Sequence, residues 1–415
     1  MADEVRFTVF GGSSIATPAL VEALARSAGQ RPHIVLVLHG RTPDKLATVA
    51  RVCQIVAEER SGDLSVEHTT DLEQALTGAD YLLNQIRVGG LKARAFDETF
   101  PRDLGIPGEE TVGPGGFNNA LRTIPVVLEY ARVVERVAPN AVWLNLTNPS
   151  SLVQYALTRY ASVRVIGICN TPIDMIRFVA GVLDADPEDL DVDYVGMHHF
   201  GFITRVHRDG QDQMDALMAA ADRFAHLGID PQVLRALRVI PSPYLRYFLH
   251  PDRMLARQKG KPARAEQLMA LQEEVLAGYR QWTGGGRPPG LEKRGTNWYD
   301  EIVAPVLLAL VNDTRQRLIV NVVNQGTLPF LPPEAIVEVP CIVGSDGPSP
   351  LPITGPVPMD VRARIQLNCA YEMLAVEAIV ERDRDKALRA LALNPLVGSA
   401  DRAQAVLERI WPETS

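Results

Sequence analysis

Residues 5–25 read VRFTVFGGSSIATPALVEALA, and this run decides the fold. Residues 5–10 are strand formers that stop abruptly at Gly11-Gly12-Ser13-Ser14. Pro18 then opens an apolar-faced stretch through Leu20, Leu24 and Ala25. Proline suits the first helical position, where its missing N–H has no intrahelical partner to lose. Strand, tight glycine turn and helix form the first unit of a dinucleotide-binding fold, in which the pyrophosphate rests on the helix N-terminus. The full G-x-G-x-x-G fingerprint is absent, so the turn by itself is a weak signal.

The chain beyond it repeats the alternation. Residues 33–38 read as a buried parallel strand, 44–59 as a helix, 65–68 as a short third strand and 81–85 as a fourth. Such βαβ units imply a parallel sheet with helices on both faces. An acid that binds the ribose usually ends the second strand. Here His39-Gly40-Arg41 stands there, so Arg41 either meets the 2′-phosphate of NADP or is an exposed arginine serving solubility. Asn84 leaves the fourth strand at its carboxyl end, where open α/β sheets bind ligands, and Arg94, Asp97 and Glu98 follow on a helix. Residues 108–122, GEETVGPGGFNNALR, crowd four glycines and a proline against Glu109 and Glu110. Glycine permits φ > 0 and close approach of a ligand, and the helix expected from Phe117 offers free N–H groups to an anion. A rigid structural turn is the plainer alternative.

A fifth strand, 142–146, runs out into Thr147-Asn148-Pro149, and a sixth, 163–168, into Cys169-Asn170-Thr171-Pro172. Asn148 and Cys169 therefore share one rim of the sheet. His198 and His199 sit in an apolar, strand-like stretch. Each alone is a core histidine, but with Cys169 at the rim a Cys–His pair for a divalent metal is plausible. Two ligands leave coordination positions open for substrate hydroxyls. Beyond residue 210 the chain reads as helical, interrupted at Pro241-Ser242-Pro243-Tyr244. A long helix is expected from Arg264 to about Arg280, a mobile loop at 283–290 and a helix at 299–312. Strands at 317–323 and 335–343 are expected to form a small second sheet, and 361–391 one or two closing helices. The class is α/β: a Rossmann-like doubly wound parallel sheet (residues 1–193), then a mixed α+β, mostly helical domain (194–415) for substrate, metal and oligomerisation.

A chain of 415 residues exceeds one ordinary core. With 46% hydrophobic and 22% charged residues it reads as globular, and a net charge of −8 argues against a nucleic-acid partner. No apolar run approaches a bilayer span, so no membrane partner is expected. Four scattered cysteines without a CxxC pair fit a reducing, cytoplasmic setting, and the acidic start leading straight into a strand reads as lacking a signal peptide.

Taken together, residues 11–14, 84–94, 110–116, 145–149, 169–173, 195–199, 321–326 and 337–340 resemble family 4 of the glycoside hydrolases, over nearly the whole chain. That family is an NAD- and metal-dependent exception to two-carboxylate sugar hydrolysis. The resemblance implies Cys169 and His199 as ligands of Mn²⁺ or another divalent metal, and Tyr244 as catalytic base. Glu110 would be the acid that raises its basicity. It implies Arg94, Asn148 and Arg264 at the substrate, the arginines facing an anionic group on the sugar, with Asn170 and His198 beside them. Gly11, Gly12, Ser13, Ser14 and Asn84, with Arg41 from its place after the second strand, are the residues expected at NAD, or NADP. An aspartate follows the metal cysteine in the α-glycoside branch, so Asn170 resembles the 6-phospho-β-glucosidase branch. His198 departs from the asparagine that the family usually has before its metal histidine. The implied reaction removes hydride from C3, takes the C2 proton, expels the aglycone, adds water and returns the hydride, in a homodimer or homotetramer. A 6-sulfonated sugar in the same mechanism and a 2-hydroxy-acid-type NAD(P) dehydrogenase remain as alternatives.

Overall fold

The computed structural model describes residues 4–27, 29 and 31–412. Six strands follow the alternation read above: β1 (Glu4–Phe10), β2 (His33–His39), β3 (Leu64–Thr69), β4 (Tyr81–Asn84), β5 (Val142–Asn145) and β6 (Arg164–Gly167). They pair in parallel in the order β3-β2-β1-β4-β5-β6, the doubly wound arrangement with its switch point between β1 and β4. Residues of β1, β2, β4 and β5 are almost wholly buried, as strands covered on both faces must be.

An antiparallel hairpin follows, β7 (Leu190–Met197) and β8 (Phe200–Arg208), joined by β9 (Gln211–Asp212) and β10 (Ile240–Pro241) into a four-stranded sheet. The last strands, β11 (Gln316–Val323), β12 (Ile336–Gly344) and β13 (Gly347–Pro350), do not make the separate small sheet expected of them. They extend the main sheet to nine strands by antiparallel pairing of β11 with β6 at Asn321 and Gly167. The reason is steric. A Cβ on Gly167 would come within 2.2 Å of Gln154 Oε1 and 2.8 Å of Asn321 Cβ, so only glycine lets β11 dock. Gln154 Nε2 then donates to Asn321 O across 2.9 Å. One apolar core runs from β1 and β2 through Met197 and Phe200 of the hairpin to Val361, Ile365 and Cys369 of the helix Met359–Glu381.

Two loops differ from expectation. The helix after the second glycine run begins at Gly113, four residues before Phe117. Its glycines accommodate the chain itself: a Cβ at Gly115 would meet Glu109 O at 2.0 Å, and one at Gly116 would meet Thr111 O at 2.5 Å. The 283–290 loop, expected to be mobile, is tied to the helix Pro43–Arg60. Gly285 N–H donates to Glu59 (2.8 Å), and Arg60 donates to Gly286 O (3.2 Å).

Candidate active site

The carboxyl ends of β1, β4, β5 and β6 open on one rim. At β1, Gly11 takes φ +81° and abuts Gln85 O, where a Cβ would lie at 2.9 Å. Gly12 N–H donates to His39 O across 2.8 Å, locking the turn to the end of β2. Ser13 Oγ sits against Gly40, Ser14 Oγ accepts from Ala16 N–H, and Arg41 beside them is exposed. The following helix, Thr17–Ala25, has no side-chain cap from its N-cap residue, and its first N–H groups turn back on Ser14 and Ala16. Asn84 is engaged internally: its Nδ2 donates to Asn145 Oδ1 (2.9 Å), bracing two strand ends.

The hairpin delivers the histidines. Met197 pairs with Phe200, so His198 and His199 are the two residues of its turn. His199 adopts φ +60°, a left-handed conformation that residues other than glycine adopt only occasionally. Such strain at a turn persists where the surroundings over-determine it. The turn brings one nitrogen of each ring and Cys169 Sγ within 4.8 Å of one another, all three residues buried. Cys169 Sγ accepts from Thr171 N–H (3.4 Å). Thr111 Oγ1 meets His199 Nδ1 at 3.1 Å, and Nε2 makes no hydrogen bond among the described residues.

Tyr244 lies flat on the His199 ring, 3.5 Å between centroids and 8° from parallel, and His199 in turn stacks on His198 at 3.8 Å. Burial raises the Tyr244 phenol well above its ordinary range, and the charges of Glu109, Cys169 and Glu110 add to that. Burial opposes charging His198, but Cys169 and Glu338 outweigh it and hold that imidazole up to about 10. His199 is pushed well down by burial and by the charge on His198.

Arg94 and Glu110 occupy an adjoining cluster. Arg94 donates to Glu98 (2.7 Å) and to Glu110 (2.8 Å), and Arg87 also pairs with Glu110. Asn148 Oδ1 lies 2.9 Å from His198 Nε2. Asn170 donates to Asp174 (2.8 Å) and Glu301 (3.2 Å). Arg264 is exposed at the start of the helix Arg264–Gln281 and donates to Gln267, while its neighbour Ala265 N–H donates to Glu98. The structure thus gathers Cys169, His198, His199, Asn148 and Tyr244 in one group, with Glu110 and Arg94 alongside. Arg264 stands at the edge.

Sequence reasoning missed the carboxylates behind the histidines. Glu338, only 1% exposed, accepts from Tyr194 Oη (2.6 Å) and Asn321 Nδ2 (3.0 Å), and its Oε1 lies 3.6 Å from His198 Nδ1. Glu109, half-buried beside Glu110, accepts from Thr111 and Val112. Glu372 is buried next to Asn368, at a small cavity lined also by His198, Ser151 and Tyr371, and burial lifts its carboxyl to about 7. The available signal for Glu338 was an acid set in the apolar run of β12.

A dinucleotide-type rim with a buried thiol–imidazole cluster at its edge defines a nucleotide-dependent enzyme that can recruit a metal. Models of the family 4 glycosyl hydrolases match residues 6–185 and, for their C-terminal domain, residues 194–397. The chain belongs to that family and is a glycoside hydrolase by descent and by fold. It is 33% identical to a probable 6-phospho-β-glucosidase of Bacillus subtilis (strain 168), over 99% of this chain and 96% of that protein. The crystal structure of a 6-phospho-β-glucosidase from Thermotoga maritima with NAD and glucose-6-phosphate superposes with a TM-score of 0.87 at 31% identity, covering 99% of this chain and all of that one. A 6-phospho-α-glucosidase from gut microorganisms, solved with NAD and Mn²⁺, gives a TM-score of 0.87 at 27% identity, over 99% and 100%.

Proposed function

We propose that this chain hydrolyses 6-phospho-β-glucosides with NAD and a divalent metal as cofactors. The observation that carries the reading is the stack of Tyr244 on His199, whose ring lies with Cys169 just past the carboxyl end of β6. A thiol and two imidazoles, buried together, are the donor set of a transition-metal site. Gly11, Gly12, Ser13 and Ser14 would hold the pyrophosphate, with Arg41 near the ribose. When bound, NAD would take and return a hydride at C3, and the metal would polarise the resulting ketone so that the C2–H becomes acidic.

The chain's own residues do the rest. Tyr244 takes the C2 proton on its phenolate oxygen. A cation at Cys169 and His199 would counter the neighbouring carboxylates that keep this phenol protonated. Glu110 adds negative charge to the same neighbourhood, and Arg87 and Arg94 hold it in place. Asn148 and Asn170 offer amides to sugar hydroxyls. Arg94 and Arg264 are the cations for an anionic group at C6, a planar guanidinium matching phosphate oxygens in pairs. Asn170 in place of an aspartate supports the β-anomer. The free, buried cysteines suit a reducing cytoplasm, and a homodimer or homotetramer is the expected assembly. No helix among the described residues is long and apolar enough to cross a membrane.

A panel of 6-phospho-β-glucosides, 6-phospho-α-glucosides and sulfoquinovosides, run with NAD⁺ or NADP⁺ and with or without Mn²⁺, tests this. Turnover of the 6-phospho-β-glucoside that needs both cofactors supports it. Cleavage of the sulfonate alone would replace phosphate in the assignment, and cleavage of the α-anomer alone would overturn the stereochemistry.

A further inference from the structure

We propose that His198 is a third protein ligand, so that this chain holds its metal by one thiolate and two imidazoles. The inference rests on the reading above that Cys169 and His199 take a metal. It replaces the substrate-facing role that the sequence suggests for His198.

Three observations carry it. Cys169 Sγ and one nitrogen from each of His198 and His199 already lie within 4.8 Å of one another. Around a tetrahedral cation, bonds of about 2.3 Å to sulfur and 2.0–2.1 Å to nitrogen place ligand atoms roughly 3.3–3.7 Å apart. About an ångström of closure therefore completes the site, and neighbouring turn residues move together. The second observation is a nitrogen without work. His198 Nδ1 is buried and makes no hydrogen bond among the described residues, while Nε2 meets the acceptor Asn148 Oδ1 at 2.9 Å. That contact fits an Nε2–H donor, so Nδ1 is the ring position a cation can take, by displacing the proton that faces Glu338. The third is charge. Glu338, fixed by Tyr194 and Asn321, stands 3.6 Å from Nδ1. With the Cys169 thiolate it supplies two negative charges, which balance a buried dication. Binding converts thiol to thiolate and frees the ring nitrogens, and the protons leave to solvent.

The test uses the full-length protein and Co²⁺ alone, without nucleotide or sugar. Proton NMR of the cobalt protein should show two far-shifted, solvent-exchangeable imidazole N–H signals; a single signal overturns the proposal. Independently, His198→Asn should weaken Co²⁺ binding by more than about tenfold and retain the sulfur-to-cobalt charge-transfer absorption. Unchanged affinity would overturn it as well. Should that variant fail to fold, the count of signals in the unaltered protein decides. Cys169→Ser separates the two levels. If it abolishes the absorption while His198→Asn changes nothing, only the third ligand falls; if Cys169→Ser also leaves binding intact, the metal reading falls with it.

Discussion

At Tyr244 two demands conflict. The phenol is surrounded by burial and by the charges of Glu109, Cys169 and Glu110, all of which keep it protonated. A base at this position would therefore depend on a cation to offset them. Tyr244→Phe keeps the ring stack and removes the base, so kcat should drop by about 10²–10⁴-fold with Co²⁺ binding unchanged, as steady-state rates and a cobalt titration would show. His199 carries a second conflict, between its left-handed φ of +60° and its side chain's place against Tyr244. Strain of this kind costs about 1–3 kcal/mol, whereas losing the ring stack costs about 0.5–1.5 kcal/mol. His199→Asn, which tolerates that φ, should thus unfold within about 1 kcal/mol of the parent while losing the metal. His199→Ala keeps the strain and should be the less stable of the two in urea melts.

The helix Met359–Glu381 contributes Glu372, whose carboxyl titrates near 7 because it is buried. A carboxyl with a folded pKa above its unfolded one weakens the fold once ionised. The penalty is absent below about pH 4.5 and grows as pH rises toward 7. That rise in the carboxyl's pKa corresponds to about 3 kcal/mol. Glu372→Gln should therefore be more stable than the parent at pH 8, with the difference fading by pH 5; an unchanged pH profile of stability would refute this. Elements with strong periodicity were legible in the sequence: the run ending at Phe10 and the turn at Gly11-Gly12 lie where read. The start of the helix at Gly113 was not, because its glycines serve contacts with Glu109 and Thr111 from the preceding loop. The hairpin turn at His198 and His199 was hidden for a related reason. Turn chemistry favours glycine or asparagine there, and histidines stand in their place.

Across the molecule, the nine-stranded sheet couples the parallel strands β1–β6 to the antiparallel strands β11–β13 through the Gly167–Asn321 pair. Gly167→Ala would push a methyl into Gln154 and Asn321, so a loss of about 1–3 kcal/mol is expected in denaturant unfolding. This docking was invisible in the sequence because periodicity identifies a strand but not its partner, and β11 reads equally well as part of a separate sheet. The Cys169, His199 and Tyr244 group was legible as residue types, through the family's motifs. The carboxylates behind it were not, since Glu338 is identified only by what Tyr194 and Asn321 do to it. The whole arrangement serves one claim, that a hydride is borrowed from the sugar and returned. Turnover of a 6-phospho-β-glucoside in D₂O, followed by mass and NMR analysis of the released sugar phosphate and by absorbance of the cofactor, tests it most directly. The account predicts deuterium at C2 with no net NADH; product without deuterium at C2, or NADH accumulating in step with turnover, would contradict it.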